Sequence, residues 1–76
     1  MVTELVAHIV KQFVQFPDSV RVEQVKSGEI DLIEIAVDER DRGKVIGRNG
    51  QTIKSLRMLV HAISPADKKV TVDIAK

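Results

Sequence analysis

The stretch Gly43-Lys44-Val45-Ile46-Gly47-Arg48-Asn49-Gly50-Gln51-Thr52-Ile53-Lys54-Ser55-Leu56-Arg57 governs how this chain is read. Two glycines bracket Arg48 and Asn49, Val45 and Ile46 come just before, and a segment with helical spacing follows. Glycine has no Cβ and tolerates φ > 0, so such a loop lets another backbone approach closely. It opens onto a helix N-terminus, where free N–H groups and the helix dipole favour phosphate. Basic residues flank it on both sides. The chemistry fits a cradle for a sugar-phosphate backbone.

Outward from this loop the elements follow from periodicity. Asp38 is a good N-cap, and Asp41 stands three residues on in a capping-box-like position. The helix that starts there runs over about 39–46 and stops at Gly47, a natural helix-ending glycine. A second helix runs over about 50–63, with Ile53, Leu56, Val60 and Ile63 on one arc and Lys54, Arg57, Met58 and His61 on the other. Before the loop, residues 29–37 read as a strand with apolar residues on both parities, the pattern of a central strand. Ser27-Gly28 is a turn that pairs it with a strand over 20–26 in an antiparallel hairpin. Residues 2–16 read as an amphipathic helix closed by Pro17. Its phenylalanines, Phe13 and Phe16, are expected in the core. Ser64-Pro65-Ala66-Asp67 is a loop, and residues 69–75 alternate with Val70, Val72 and Ile74 inward, a last strand. The order is α-β-β-α-α-β. That predicts an α+β fold, a three-stranded mixed sheet packed on three helices, with a right-handed crossover between the parallel strands.

The 76 residues make one domain, 1–76, in which 43% apolar residues suffice for one core. A chain this short buries about 60% of its unfolded surface, so modest stability is expected. There is no cysteine, hence no disulfide and no thiolate metal site. No basic n-region precedes an apolar run, and no apolar stretch approaches the roughly 18 residues of a membrane span. A soluble, cytoplasmic protein is the expectation.

Net charge is +1, but it is unevenly placed. Residues 1–39 hold three basic and eight acidic residues, a net of −5. Residues 40–57 hold six basic ones (Arg40, Arg42, Lys44, Arg48, Lys54, Arg57) and Asp41, a net of +5. A local basic patch attracts a polyanion even on a nearly neutral protein. Arg48 can fork onto a phosphate and Asn49 can donate from its amide. Lys44 lies one helical turn before Arg48 and Lys54 one turn after the loop, so both reach the same side. Arg40 reads instead as part of a solvated face or as an ion-pair partner of neighbouring acids. Arg42 is open between that reading and phosphate contact, and Arg57 is placed with the phosphate-contacting residues.

Other chemistries find no support. His8 and His61 are isolated, without a second ligand at a zinc spacing. The acidic residues fall at strand positions or helix starts and read as a solvated face, not a general acid/base pair. The loop lacks the G-x-x-x-x-G-K-[ST] of a nucleotide-hydrolysing site. With no tyrosine or tryptophan, recognition by stacking bases on aromatic platforms is not expected. No enzyme activity, metal or other cofactor is expected.

The run Val45-Ile46-Gly47-Arg48-Asn49-Gly50, followed by Thr52-Ile53 and Arg57, resembles the KH-domain signature, whose core is I-G-x-x-G. The α-β-β-α-α-β order resembles the type II, prokaryotic form of that fold. Length and the run from Val37 to Arg57 resemble the small bacterial single-KH proteins of the KhpA family. The resemblance implies single-stranded RNA binding, with Gly47, Arg48, Asn49 and Gly50 clamping about four nucleotides by their backbone. It places Val45, Ile46 and Ile53 where an apolar groove floor for the bases would lie, and leaves open that the three are plain core. It further implies a post-transcriptional regulator or RNA chaperone. Members of this family form homodimers and pair with a larger KH-containing protein of the KhpB, or Jag, type. A protein-interaction module using the KH fold for dimerisation is the alternative, motivated by the wide apolar face of the first helix and by Met58 and Leu59.

Overall fold

In the computed structural model, which describes residues 2–65 and 69–75, the expected element order is present. Helix α1 spans Val2–Phe13, strands β1 and β2 span Arg21–Ser27 and Ile30–Ala36, helix α2 spans Arg42–Ile46, helix α3 spans Gln51–Ile63, and strand β3 spans Lys69–Ile74. Strand β2 is central, antiparallel to β1 and parallel to β3. The mixed sheet follows from the connections: a turn at Gly28-Glu29 suffices for the hairpin, whereas β2 reaches β3 only through both helices.

Alternation along β2 sends Ile33 and Ile35 to one face, where both are buried. Val72 of β3 joins them from the next strand. Against this face α1 sets Val6 and Val10, one turn apart, α2 sets Val45, and α3 sets Ile53, Leu56 and Val60. Fully burying aliphatic side chains of this size stabilises by about 1.5–3 kcal/mol each, which is what holds short helices that are marginal alone.

Several expectations are corrected. Helix α1 ends at Phe13, three residues before the expected 16 and well short of Pro17. The cause is long-range: the Asp41 carboxylate accepts hydrogen bonds from the backbone N–H groups of Gln15 (2.9 Å) and Phe16 (2.8 Å). Those amides would otherwise continue the helix. Asp41 is therefore no capping-box acid but a fully buried tie between the exit of α1 and the entry of α2. The helix expected over 39–46 divides into a 3-10 turn at Glu39–Asp41 and then α2. Phe13 is 36% exposed and Phe16 half-buried, so neither belongs to the core cluster. Ile63 is 45% exposed, because the apolar arc of α3 continues into a final turn beyond the packed core. Of the loop expected at 64–67, Ala66 and Asp67 lie outside the described residues.

Candidate functional site

The turn joining α2 to α3 is built from backbone that only a few residues can adopt. Gly47 sits at φ 77°, ψ 172°, Asn49 at φ 57°, ψ 28° and Gly50 at φ 73°, ψ 17°. Asn49 is the one non-glycine residue with positive φ among those described, a conformation asparagine tolerates better than most. Gly47 is fixed by space as well as by angle. A Cβ there would lie 2.3 Å from Thr52 Oγ1 and 2.7 Å from the Thr52 backbone nitrogen. The chain thus folds its main chain directly against the first turn of α3.

Two internal hydrogen bonds set the turn, Gly47 N–H to the Gly43 carbonyl (2.9 Å) and Gly50 N–H to the Gly47 carbonyl (3.2 Å). Gly50 occupies the N-cap of α3 and has no side chain to cap it. The helix therefore presents its first turn uncapped by any side chain, with its positive dipole end at the glycine turn. Arg48 and Asn49 are exposed at the tip, and Lys44 and Lys54 are exposed on either side. Among the described residues none of these three cations is tied up in an ion pair; the ion pair found there joins Arg40 to Asp38.

The other basic residues of the patch are committed elsewhere. Arg40 Nε and Nη2 donate to the two Asp38 oxygens at 2.9 and 3.0 Å, and its guanidinium stacks 3.6 Å from the centroid of Phe16. Asp38 also accepts from the Arg40 backbone N–H at 2.9 Å. The Arg40 side chain first, then its amide, hold the Asp38 carboxyl down to about 2; the same pairing raises Arg40. Arg42 donates to the Ala75 carbonyl at 2.8 Å, fastening α2 to the end of β3. Arg57 donates from Nε to the Val72 carbonyl at 2.8 Å, fastening α3 to the outer edge of β3.

The expected groove floor is only partly at the surface. Val45 is fully buried and Ile53 retains 7% exposure, so these two are core under the turn. Ile46, at 41% exposure, is the member of the trio open to a ligand. An open apolar groove of about 440 Å³ lies instead along α3 and β3, lined by Arg57, Met58, His61, Ala62, Val70 and Thr71. At 1.5 Å per residue its α3 wall begins about 9 Å along the helix from the glycine turn. Nothing in the sequence shows that Val70 and Thr71 line it, since the partner of an α3 face is set by the strand crossover. Met58 is 74% exposed and Leu59 half-buried. Among the described residues no group of three or more His, Cys, Asp or Glu could hold a metal ion, and no helix is long and apolar enough to cross a membrane.

Comparison with known proteins bears on this geometry. A family model described as "KhpA/KhpB, KH domain" matches residues 3–74. A protein of Leifsonia xyli named RNA-binding protein KhpA is 40% identical over 97% of this chain and 96% of its own length. Its namesake from Halalkalibacterium halodurans is 44% identical over 92% and 93%, respectively. The namesake from Thermotoga maritima is 36% identical over 96% and 97%. Among solved structures, an Aquifex aeolicus Era variant bound to GDP·AlF4− superposes with a TM-score of 0.58 at 22% identity. That match covers 96% of this chain and 29% of the Era chain, and it bears on the fold alone.

Proposed function

Since the chain belongs to the KhpA/KhpB KH-domain family, we propose that it is a non-enzymatic, cytoplasmic single-stranded RNA-binding protein that clamps the sugar-phosphate backbone at Gly47–Gly50. The observation that carries this reading is the turn itself: positive φ at three of its four residues, an α3 terminus uncapped by a side chain, and Lys44, Arg48 and Lys54 free of ion pairs. Arg48 and Asn49 donate to phosphate oxygens, Lys44 and Lys54 neutralise the strand on either side, and Ile46 packs on a sugar or base. Val45 and Ile53 support the turn from beneath. Bases continue into the Arg57–Thr71 groove, where Arg57, held by its Nε, presents the rest of its guanidinium. The protein acts as a post-transcriptional regulator or RNA chaperone with weak sequence preference.

One site of this size binds weakly, and pairing two of them raises affinity through effective concentration. A second reading is that the fold serves association as well, as a homodimer or with a larger KH-containing protein of the KhpB/Jag type. Met58 at 74% exposure and the exposed Leu5 and Phe13 of α1 favour it.

Combining Arg48→Asp with Asn49→Asp tests the first reading. Affinity for a single-stranded oligoribonucleotide should fall by about 100-fold, because charge-assisted hydrogen bonds are worth about 1.5–3 kcal/mol each. The circular dichroism spectrum and sedimentation coefficient should not change. For the unaltered protein, log affinity against log salt should slope at about −2 to −3, from three or four neutralised phosphates. Undiminished RNA binding in the double variant sinks the clamp; lost association with retained RNA binding favours the second reading.

A further inference from the structure

The sheet face turned away from the helices carries a banded pattern that the glycine turn does not use. Strand register sets Glu23 opposite Glu34, and Glu34 opposite Asp73. Three carboxylates thus stand abreast, one per strand, about 4.8 Å from strand to strand. The adjoining row is Val25, Leu32 and Thr71, and Ile30 lies beyond it beside Lys69. Val25 is 39% and Ile30 46% exposed, though both are aliphatic and share one face. Like charges directly opposite in a sheet are destabilising, and an open aliphatic strip is unfavourable in water. Asp73 spends one oxygen on the Ile74 amide at 2.8 Å. Arg21, opposite Ala36 on the same face, adjoins Glu23 and Glu34, but no ion pair neutralises the row among the described residues.

We propose that this outer face docks a cationic protein segment, one whose arginines or lysines meet the Glu23–Glu34–Asp73 row while a neighbouring aliphatic side chain covers Val25 and Leu32. Charge complementarity selects the occupant. Three carboxylates outnumber the two flanking cations, Arg21 and Lys69, so the face disfavours phosphates and favours a cationic occupant. A second copy could offer its own glycine turn, but that head-to-tail contact would spend the basic turn on the sheet and build a ring or an open chain. The two faces then carry opposite cargo, a polyanion at the α2–α3 turn and a polycation on the sheet, and the proposal stands without the RNA reading.

The test titrates the full chain with a short soluble peptide bearing arginines on both sides of one leucine, followed by amide chemical-shift mapping and fluorescence anisotropy. Shifts should fall on residues of the three strands. Binding should weaken by about tenfold or more in the Glu23→Gln, Glu34→Gln, Asp73→Asn variant, with RNA affinity unchanged. That variant should melt no lower than the parent, since a repulsion is removed; the shift map on the unaltered chain decides the matter independently of it. A peptide with serine for leucine should bind several-fold more weakly. Shifts centred on residues 44–54, equal binding by the neutralised variant, or indifference to the leucine would overturn the proposal. So would self-association of the chain that the neutralised variant abolishes, which would make a second copy the occupant.

Discussion

The chain enters the glycine turn through Asp38–Arg42 and leaves it through Arg48–Lys54, and the two stretches use the same kinds of charge in opposite ways. On the entry side every charge except the exposed Glu39 is consumed internally. Asp38 and Arg40 pair with each other, Arg40 also covers Phe16, Asp41 is buried against two amides, and Arg42 holds Ala75. On the exit side Arg48 and Lys54 point outward without ion pairs, and the backbone itself is the unusual part. Where charges are satisfied internally they fasten elements together; where they are not, their interaction energy remains for a ligand. A count of basic residues over 40–57 cannot separate these uses, yet it is the separation that marks the candidate site.

The largest effects are expected at Asp41 and Gly47. Asp41→Ala removes a fully buried carboxylate and strips it from two part-buried amides, which should cost about 2–3 kcal/mol by urea denaturation. A domain of this size holds only about 4–11 kcal/mol in all, so a marked loss of folded protein near 37 °C is expected. The other is Gly47→Ala, which combines a left-handed angle with a collision against Thr52. It should cost about 2–3 kcal/mol and weaken RNA binding together with stability. Gly50→Ala sharpens the contrast within the turn. The angle is again left-handed, but a Cβ there meets nothing closer than Ile53 Cγ2 at 4.0 Å. About 1 kcal/mol is expected, with the helix spectrum intact.

The smallest effect concerns Asp38. Its carboxyl titrates lower in the folded chain than in the unfolded one, so the unfolded state binds more protons as acid is added. The contribution is present above the ordinary carboxylate range, near pH 4, and is lost as pH falls toward about 2. Carboxyl resonances followed by NMR should place the Asp38 midpoint near 2, and Arg40→Leu should move it up toward the ordinary value.

How much of this was legible in the sequence depended on range. The wheel of α3 put Ile53, Leu56 and Val60 on one apolar arc and all three are buried, since helical periodicity is local, although the sequence left open whether Ile53 was core or groove floor. The wheel failed at Ile63, where the period persists but the core has ended. For Arg40 the sequence left a solvated face and an ion pair with a neighbouring acid both open, and the structure gives the pair, with Asp38 two residues away. The early end of α1 was not readable. It depends on a carboxylate 25 and 26 residues away in sequence, and proline at 17 looked sufficient. Val45 and Ile46 are adjacent and chemically alike, yet one is sealed and the other 41% exposed. Only the direction in which α2 meets the sheet distinguishes them.

By itself, then, the sequence determined the element order, the mixed sheet and the glycine turn, because periodicity, turn chemistry and the steric freedom of glycine act within a few residues. Which cations stay unpaired, where the apolar groove opens and which acids are buried were settled only by tertiary structure, because each depends on groups brought together from distant parts of the chain.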